Sequence, residues 1–255
     1  MATQHRPAAF VTGASRGIGA GTAIELGRNG WDVAIGAREK GKRADRVADE
    51  VRLADPDADT QVLLGDLTDI DVRERVVNDL AKWRPRLGAL VLNAAAGLEK
   101  GKPSDYALNV NCLSQIALAD ALLPSLADGG TIVYVTSHWS HLYERDVQMP
   151  PYDYHAVAST KSQGEANLTS MIPKFSANGT RLIVVTAGIV TGTFVGDRAM
   201  KEYPDFGKEQ TALSNVTPLA EMAAGIVRVI QDQSLPTGHI QVLGAALDTM
   251  PRVLA

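Results

Sequence analysis

Thr12-Gly13-Ala14-Ser15-Arg16-Gly17-Ile18-Gly19 follows directly on the apolar run Ala8-Ala9-Phe10-Val11, and the segment behind it, Thr22-Ala23-Ile24-Glu25-Leu26, has helical character. A buried strand thus runs into a glycine-rich turn that opens a helix. Glycines let the backbone turn tightly and approach a pyrophosphate, while the helix aims unpaired N–H groups and its positive dipole end at the anion. A glycine pattern alone is weak evidence for such a site. Strand, turn and helix in this order predict dinucleotide binding.

Outward from this stretch, short apolar runs alternate with amphipathic segments along the chain. Residues 8–12, 32–36, 61–64, 89–92, 131–136, 181–186 and 239–243 predict strands. Residues 42–53, 72–83, 107–126, 157–175 and 219–231 predict helices among the segments between them. Strands apolar enough to be buried on both faces, each followed by a helix, predict an α/β fold. The expected architecture is a Rossmann-type, doubly wound, mainly parallel seven-stranded sheet with helices on both faces. No repeat, low-complexity tract or linker breaks the pattern, so the 255 residues are expected to form a single domain, 1–255. Two segments depart from the alternation, 138–154 and 193–217. Both follow strands, which places them at the carboxyl edge of the sheet where ligands bind, as walls or lid of a substrate pocket; surface loops without a role are the alternative.

Composition narrows the function classes. The formal net charge is −4 and no Lys/Arg run is present, which argues against a nucleic-acid or membrane surface. The single cysteine, Cys112, excludes an intrachain disulfide, and no Cys/His cluster suits zinc. Residues 1–7 contain no apolar leader core and no stretch reaches transmembrane length, so a cytoplasmic protein is expected.

The second predicted strand points to the cofactor. A site for NAD usually has an acid about twenty residues past the glycines, bonding the ribose hydroxyls. Here the run ends Ala34-Ile35-Gly36-Ala37-Arg38, with no acid at its tip, and Arg16 stands inside the glycine loop. A 2′-phosphate brings roughly two negative charges, which arginine forks hold through paired hydrogen bonds. Absent acid and paired arginines together favour NADP(H).

The glycine stretch also resembles the TGxxxGxG cofactor loop of the short-chain dehydrogenases/reductases, and the resemblance extends along nearly the whole chain. It implies that Gly13, Ser15, Arg16, Gly17, Ile18 and Gly19 embrace the cofactor, with Arg16 and Arg38 standing as in the NADP-preferring branch. By the same resemblance Asp66 accepts from the adenine amino group and Leu67 gives a backbone contact, the alternative for Asp66 being a helix N-cap. Leu92-Asn93-Ala94-Ala95-Ala96-Gly97 is a partial match to the family's NNAG motif, so Asn93 either contacts the cofactor or chiefly braces the sheet. Gly188, Ile189 and Val190 stand where the family meets the nicotinamide carboxamide, and its threonine falls at Thr191 or Thr193.

The reacting centre departs from the family at one position. Carbonyl reduction needs hydride and a proton donor at the developing alkoxide. In the family a tyrosine donates, a lysine four residues later tunes it, a serine holds the carbonyl, and an asparagine on the preceding helix anchors a water chain. Asn111, Ser137 and Lys161 match three of these, but Val157 stands where the tyrosine belongs. Tyr154 is a candidate substitute. It lies seven residues before Lys161, two helical turns and about 10 Å along the axis, against about 6 Å for the family spacing. Asp153 is the expected N-cap, which would put Tyr154 in the first turn. His138 and His141, in an aromatic-rich spacer longer than the family's common one, are further candidates as acids, with packing or surface histidines as the alternative.

Lys161 keeps a role without the tyrosine, since the family lysine also bonds the nicotinamide ribose. Tyrosine-lacking relatives occur among reductases of aromatic polyketides, where a phenol beside the ketone can supply the proton. The resemblance therefore implies an NADPH-dependent ketoreductase of antibiotic-biosynthesis type, acting on a small polycyclic aromatic ketone, with the proton supplied by substrate, water or a non-standard residue. The alternatives are an NADP(H)-binding sensor or scaffold without turnover, and a cofactor-assisted cyclase or lyase. Helices 107–126 and 157–175 correspond to the family's oligomer surfaces, so the resemblance implies a homodimer or homotetramer; burial of both helices within one subunit is the alternative.

Overall fold

A computed structural model describes residues 6–145 and 147–250. Residues 1–5, read above for a leader, and Asp146, within 138–154, lie outside the described residues. The first half alternates regularly: β1 (Ala8–Val11), α1 (Gly17–Arg28), β2 (Asp32–Ala37), α2 (Gly41–Ala54), β3 (Thr60–Leu64), α3 (Ile70–Trp83) and β4 (Leu87–Leu92). A helical rod follows, made of α4 (Tyr106–Leu108), a π-helical turn (Asn109–Leu113) and α5 (Ser114–Leu122). Then come β5 (Leu126–Ser137), α6 (His138–His141), α7 (His155–Ser170), α8 (Ile172–Ala177) and β6 (Arg181–Ala187). The chain closes with β7 (Ile189–Thr191), α9 (Phe194–Glu202), α10 (Pro204–Ala212), β8 (Val216–Pro218), α11 (Leu219–Gln231) and β9 (His239–Leu243).

Seven of these strands form one parallel sheet in the order β3-β2-β1-β4-β5-β6-β9. All seven predicted strands are present, and the doubly wound fold is the one the sequence predicts. Its cause is legible in β1. Ala9 and Val11 point into a core completed by α1, α2 and α11, while Ala8 and Phe10 point into a second core beneath α3, α5, α7 and α8. Both faces are covered, so every position is apolar and no alternation shows. The strand order reverses between β1 and β4, which opens a crevice at their carboxyl ends. The small parallel pair β7–β8 stands beside that crevice. Among the described residues no helix is long and apolar enough to cross a membrane.

Three expectations about helices are corrected. The segment 107–126 is not one helix: Pro124 forces a 3-10 turn at Leu123–Ser125, and Leu126 already pairs with Leu87 at the start of β5. The segment 157–175 breaks at Met171, where Pro173 begins α8 instead of continuing α7. Asp153 does not cap α7. Tyr154 itself holds the N-cap position, its carbonyl accepting from Ala158 N at 2.9 Å, without a side-chain cap. The segments 138–154 and 193–217 are more ordered than loops, containing α6, α9, α10 and β8.

The rod and α7 touch at a point that positions the site. The Tyr134 hydroxyl on β5 donates between the carbonyls of Asn111 (2.9 Å) and Lys161 (3.0 Å). Gly164 allows this approach, because a Cβ there would lie 2.5 Å from both Asn111 O and the Tyr134 hydroxyl. Glycine to alanine inside a helix ordinarily stabilises by about 1 kcal/mol. Gly164→Ala is expected to do the opposite and lower the melting temperature, a sign readily checked by thermal unfolding against an exposed helical Gly→Ala control.

Candidate active site

The crevice is built first by hydrogen bonds between the exits of β1 and β4. Thr12 Oγ1 accepts from Asn93 N (2.9 Å) and Ala94 N (3.0 Å), and the Asn93 side-chain amide donates to Thr12 O (2.9 Å). Asn93 therefore braces the loop as well as lining the crevice. Gly13 and Gly17 adopt φ of +64° and +57°, and a Cβ on Gly13 would sit 2.8 Å from Ala94 Cα. Gly19 serves close packing: its Cβ would lie 2.5 Å from the Asn93 amide nitrogen, and the residue lines neither cavity described below. No side chain caps α1 and no acid occupies its first turn, so the helix keeps its N–H groups for an anion. The residues present fit a dinucleotide.

Two cavities, of about 260 and 540 Å³, share Gly13 and Arg16 as a common wall. The smaller lies over the tips of β2 and β3, where Arg16, Arg38, Lys40 and Arg43 line it together with Ser15 and Leu67. Asp66 also faces it. Its Oδ1 accepts from Thr68 N (3.1 Å) and Thr68 Oγ1 (2.9 Å), and its Oδ2 accepts from the Tyr106 hydroxyl (3.0 Å). Glu39, the acid nearest the β2 tip, is tied to Arg38 Nε at 3.1 Å.

The larger cavity gathers Ser137, Tyr154, Val157 and Lys161 at one end, facing Gly188, Ile189, Val190 and Thr193. Lys161 Nζ donates to Val135 O at 2.9 Å, and burial lowers its pKa to about 8. Ser137 ends β5 and caps α6, accepting from Ser140 N at 3.2 Å. Tyr154 lines the same cavity as Ser137, whose Oγ lies 2.9 Å from Ser140 Oγ; burial raises the phenol pKa, and the nearby Ser137 hydroxyl opposes the rise. Val157 packs on Gly97, where a Cβ would come within 2.8 Å of Val157 Cγ2. Thr193 caps α9, accepting from Gly196 N (3.0 Å) and donating to Val190 O (2.7 Å).

Other candidates fall outside the cavity. The Asn111 side chain bonds both Ala96 N and Ala96 O at 2.8 Å, and donates to Thr160 Oγ1 at 2.8 Å. It holds the loop after β4, its carbonyl accepts from Tyr134, and it lines neither cavity. His138 is fully buried; its Nδ1 is 2.7 Å from Asn215 Oδ1, and burial pushes its pKa down to about 4. His141 pairs with Glu165 at 2.5 Å. Neither histidine lines the cavity.

Tyr106, bonded between Arg38 and Asp66, was missed in sequence. The aromatics of 138–154, read in sequence as able to embrace a flat apolar ligand, stand together with two rings from 193–217: Trp139 meets Tyr154 edge-on at 5.9 Å and Phe206 at 6.1 Å, while Tyr152 meets Tyr154 and Tyr203 at 5.7 Å each, forming an aromatic wall. Among the described residues no cluster of His, Cys, Asp and Glu could hold a metal.

Comparison with known proteins agrees with this geometry. Hydroxynaphthalene reductase arp2 of Aspergillus fumigatus is 31% identical over 137 residues, 51% of this chain and 49% of its own. The chain spans about half the length of the curated relatives it matches. Among solved structures, a short-chain dehydrogenase/reductase from Serratia marcescens superposes with a TM-score of 0.79 at 24% identity, over 93% of this chain and 96% of that one. The angucycline C-6 ketoreductase LanV, solved with bound NADP, gives a TM-score of 0.75 at 22% identity, over 92% and 93%. At such identities the two structures speak for the fold. The family model of the short chain dehydrogenases matches residues 7–204, and the chain belongs to that family.

Proposed function

We propose that this chain is an NADPH-dependent ketoreductase acting on a small, flat, polycyclic aromatic ketone, with Tyr154 delivering the proton in place of the family tyrosine. The observation that carries the proposal is the convergence of Ser137, Tyr154 and Lys161 on one cavity. When bound, the nicotinamide supplies hydride from its C4 position. Ser137 and Tyr154 then offer two hydroxyl donors to one carbonyl oxygen, where negative charge develops. A phenol is protonated at neutral pH, and burial of Tyr154 raises its pKa further. An alkoxide is a far stronger base than a phenolate, so transfer of that proton is downhill despite the raised pKa. Lys161 would hold the nicotinamide ribose as its ammonium.

Cofactor choice rests on Arg16 and Arg38 facing one cavity, with Ala37 at the tip of β2 and Glu39 already paired. The substrate class rests on the wall of Trp139, Tyr152 and Tyr154, to which Leu98 and Phe194 add apolar surface. Hydroxynaphthalene reductase and the angucycline ketoreductase LanV are named for reductions in keeping with it. Val157, which has no proton to give, favours a second reading, a protein that binds NADP(H) without turnover.

The test is transfer of deuterium from C4-labelled NADPH to a panel of phenolic polycyclic ketones, with cofactor binding measured in the same samples. Label in the alcohol is expected; bound cofactor with no transfer to any ketone supports the second reading. Tyr154→Phe should lower kcat/KM about 100-fold or more while leaving NADPH affinity unchanged, as for loss of a general acid. Undiminished activity in that variant would assign the proton to substrate or water.

Lys161 sets a pH dependence. Its charge is lost as pH rises through about 8, so a contact made by the ammonium is present below that pH and lost above it. Wild-type affinity for NADPH is expected to fall above pH 8. Lys161→Met should bind weakly at all pH values, without that inflection, as titration calorimetry from pH 6.5 to 9.5 would read.

A further inference from the structure

We infer that Tyr106 sets the selectivity for the cofactor's 2′-phosphate, by fixing the Arg38 guanidinium against Asp66; the inference rests on the NADP reading above. Tyr106 opens the helical rod, with its ring largely buried. Its hydroxyl accepts from Arg38 Nη1 at 2.6 Å and donates to Asp66 Oδ2 at 3.0 Å. The hydroxyl answers both partners through one oxygen, since the guanidinium only donates and the carboxylate only accepts, and phenylalanine at this position can do neither. Asp66 is itself held on its other oxygen by Thr68, so the anchor is firm.

The consequence falls on the arginine fork. Nη1 is taken by Tyr106 and Nε by Glu39, and among the described residues no protein group accepts from Nη2. Arg38 shares its cavity with Arg16, Lys40 and Arg43; of the acids that also line it, Glu39 is paired with Arg38, Asp66 is bonded to Thr68 and Tyr106, and Glu99 accepts from Gly97 N, which leaves cations to meet a phosphate dianion. Lys102 sits over the Tyr106 ring at 4.6 Å and adds to the positive field there. An arginine on a free stem must lose rotamer freedom when it binds; one already tethered by Tyr106 loses little. Tyr106 therefore acts through Arg38 as a positioning residue. It also joins the adenine-side acceptor, Asp66, to the phosphate-side cation.

The experiment measures affinities of wild type, Tyr106→Phe, Arg38→Ala and the double variant for two probes, adenosine 2′,5′-bisphosphate and 5′-AMP, by titration calorimetry. Wild type is expected to prefer the bisphosphate. Tyr106→Phe should narrow that preference roughly three- to tenfold, the size of one immobilised side chain, with 5′-AMP affinity changed by less than about twofold. In the Arg38→Ala background, Tyr106→Phe should narrow it no further. A merely structural tyrosine would weaken both probes alike, and that result overturns the inference. So does a preference that survives Tyr106→Phe, or one that narrows equally with and without Arg38. A wild type that binds both probes equally overturns the NADP reading and the inference with it.

Discussion

Thr12 and Asn93 tie the exits of β1 and β4 together at the place where the strand order reverses, and the whole crevice hangs on those bonds. The connections leaving the paired strands on either side of a reversal run to opposite faces of the sheet, so something must hold the two loops at a fixed spacing. Here a buried threonine hydroxyl accepts from two successive backbone N–H groups, and an asparagine amide answers from the other side. Gly13 and Gly19 follow as requirements, since any Cβ would collide with Ala94 or with the Asn93 amide. The glycines are set by protein packing as much as by a phosphate.

A second constraint works from the far side. Tyr134 pins the π-helical turn of the rod and the carbonyl of Lys161 to the central strand β5, while Asn111 clamps the loop after β4 to that same turn. Positions 157 and 161 are thus delivered to the cavity by contacts that involve no reacting group. This explains how Val157 can stand beside the intact lysine without disturbing it. The proposed donor, Tyr154, reaches the site differently, from the N-cap of α7 and against an aromatic wall contributed by two distant segments.

Much of the fold was legible because its signals are local. Apolar runs such as Ala8–Val11 and Arg181–Ala187 mark strands covered on both faces, and the glycine loop marks the crevice. Pro124 and Pro173 were legible too, as a helix stop and a helix start, and correct the two overlong helices. The rest depends on partners remote in sequence. Nothing near Tyr106 announces Asp66, 40 residues earlier, or Arg38, 68 residues earlier. Nothing near His138 announces Asn215, 77 residues on, so a core histidine reads in sequence like an acid beside Ser137. Asn111 matched its motif, yet its amide is spent on Ala96 and Thr160, a use that only the π-helical turn makes possible.

His138 also gives this protein a built-in acid fuse. Its neutral ring is buried at the start of α6 against Asn215, and the folded chain refuses it a proton until pH falls to about 4. The unfolded chain accepts that proton near pH 6.5, so every step down between those values favours unfolding. Acidification therefore removes stability first through a core group that takes no part in the proposed chemistry, while at the cationic end of the crevice the carboxyl of Asp66, despite its burial held low by Thr68 and Tyr106, gives up its share only at still lower pH.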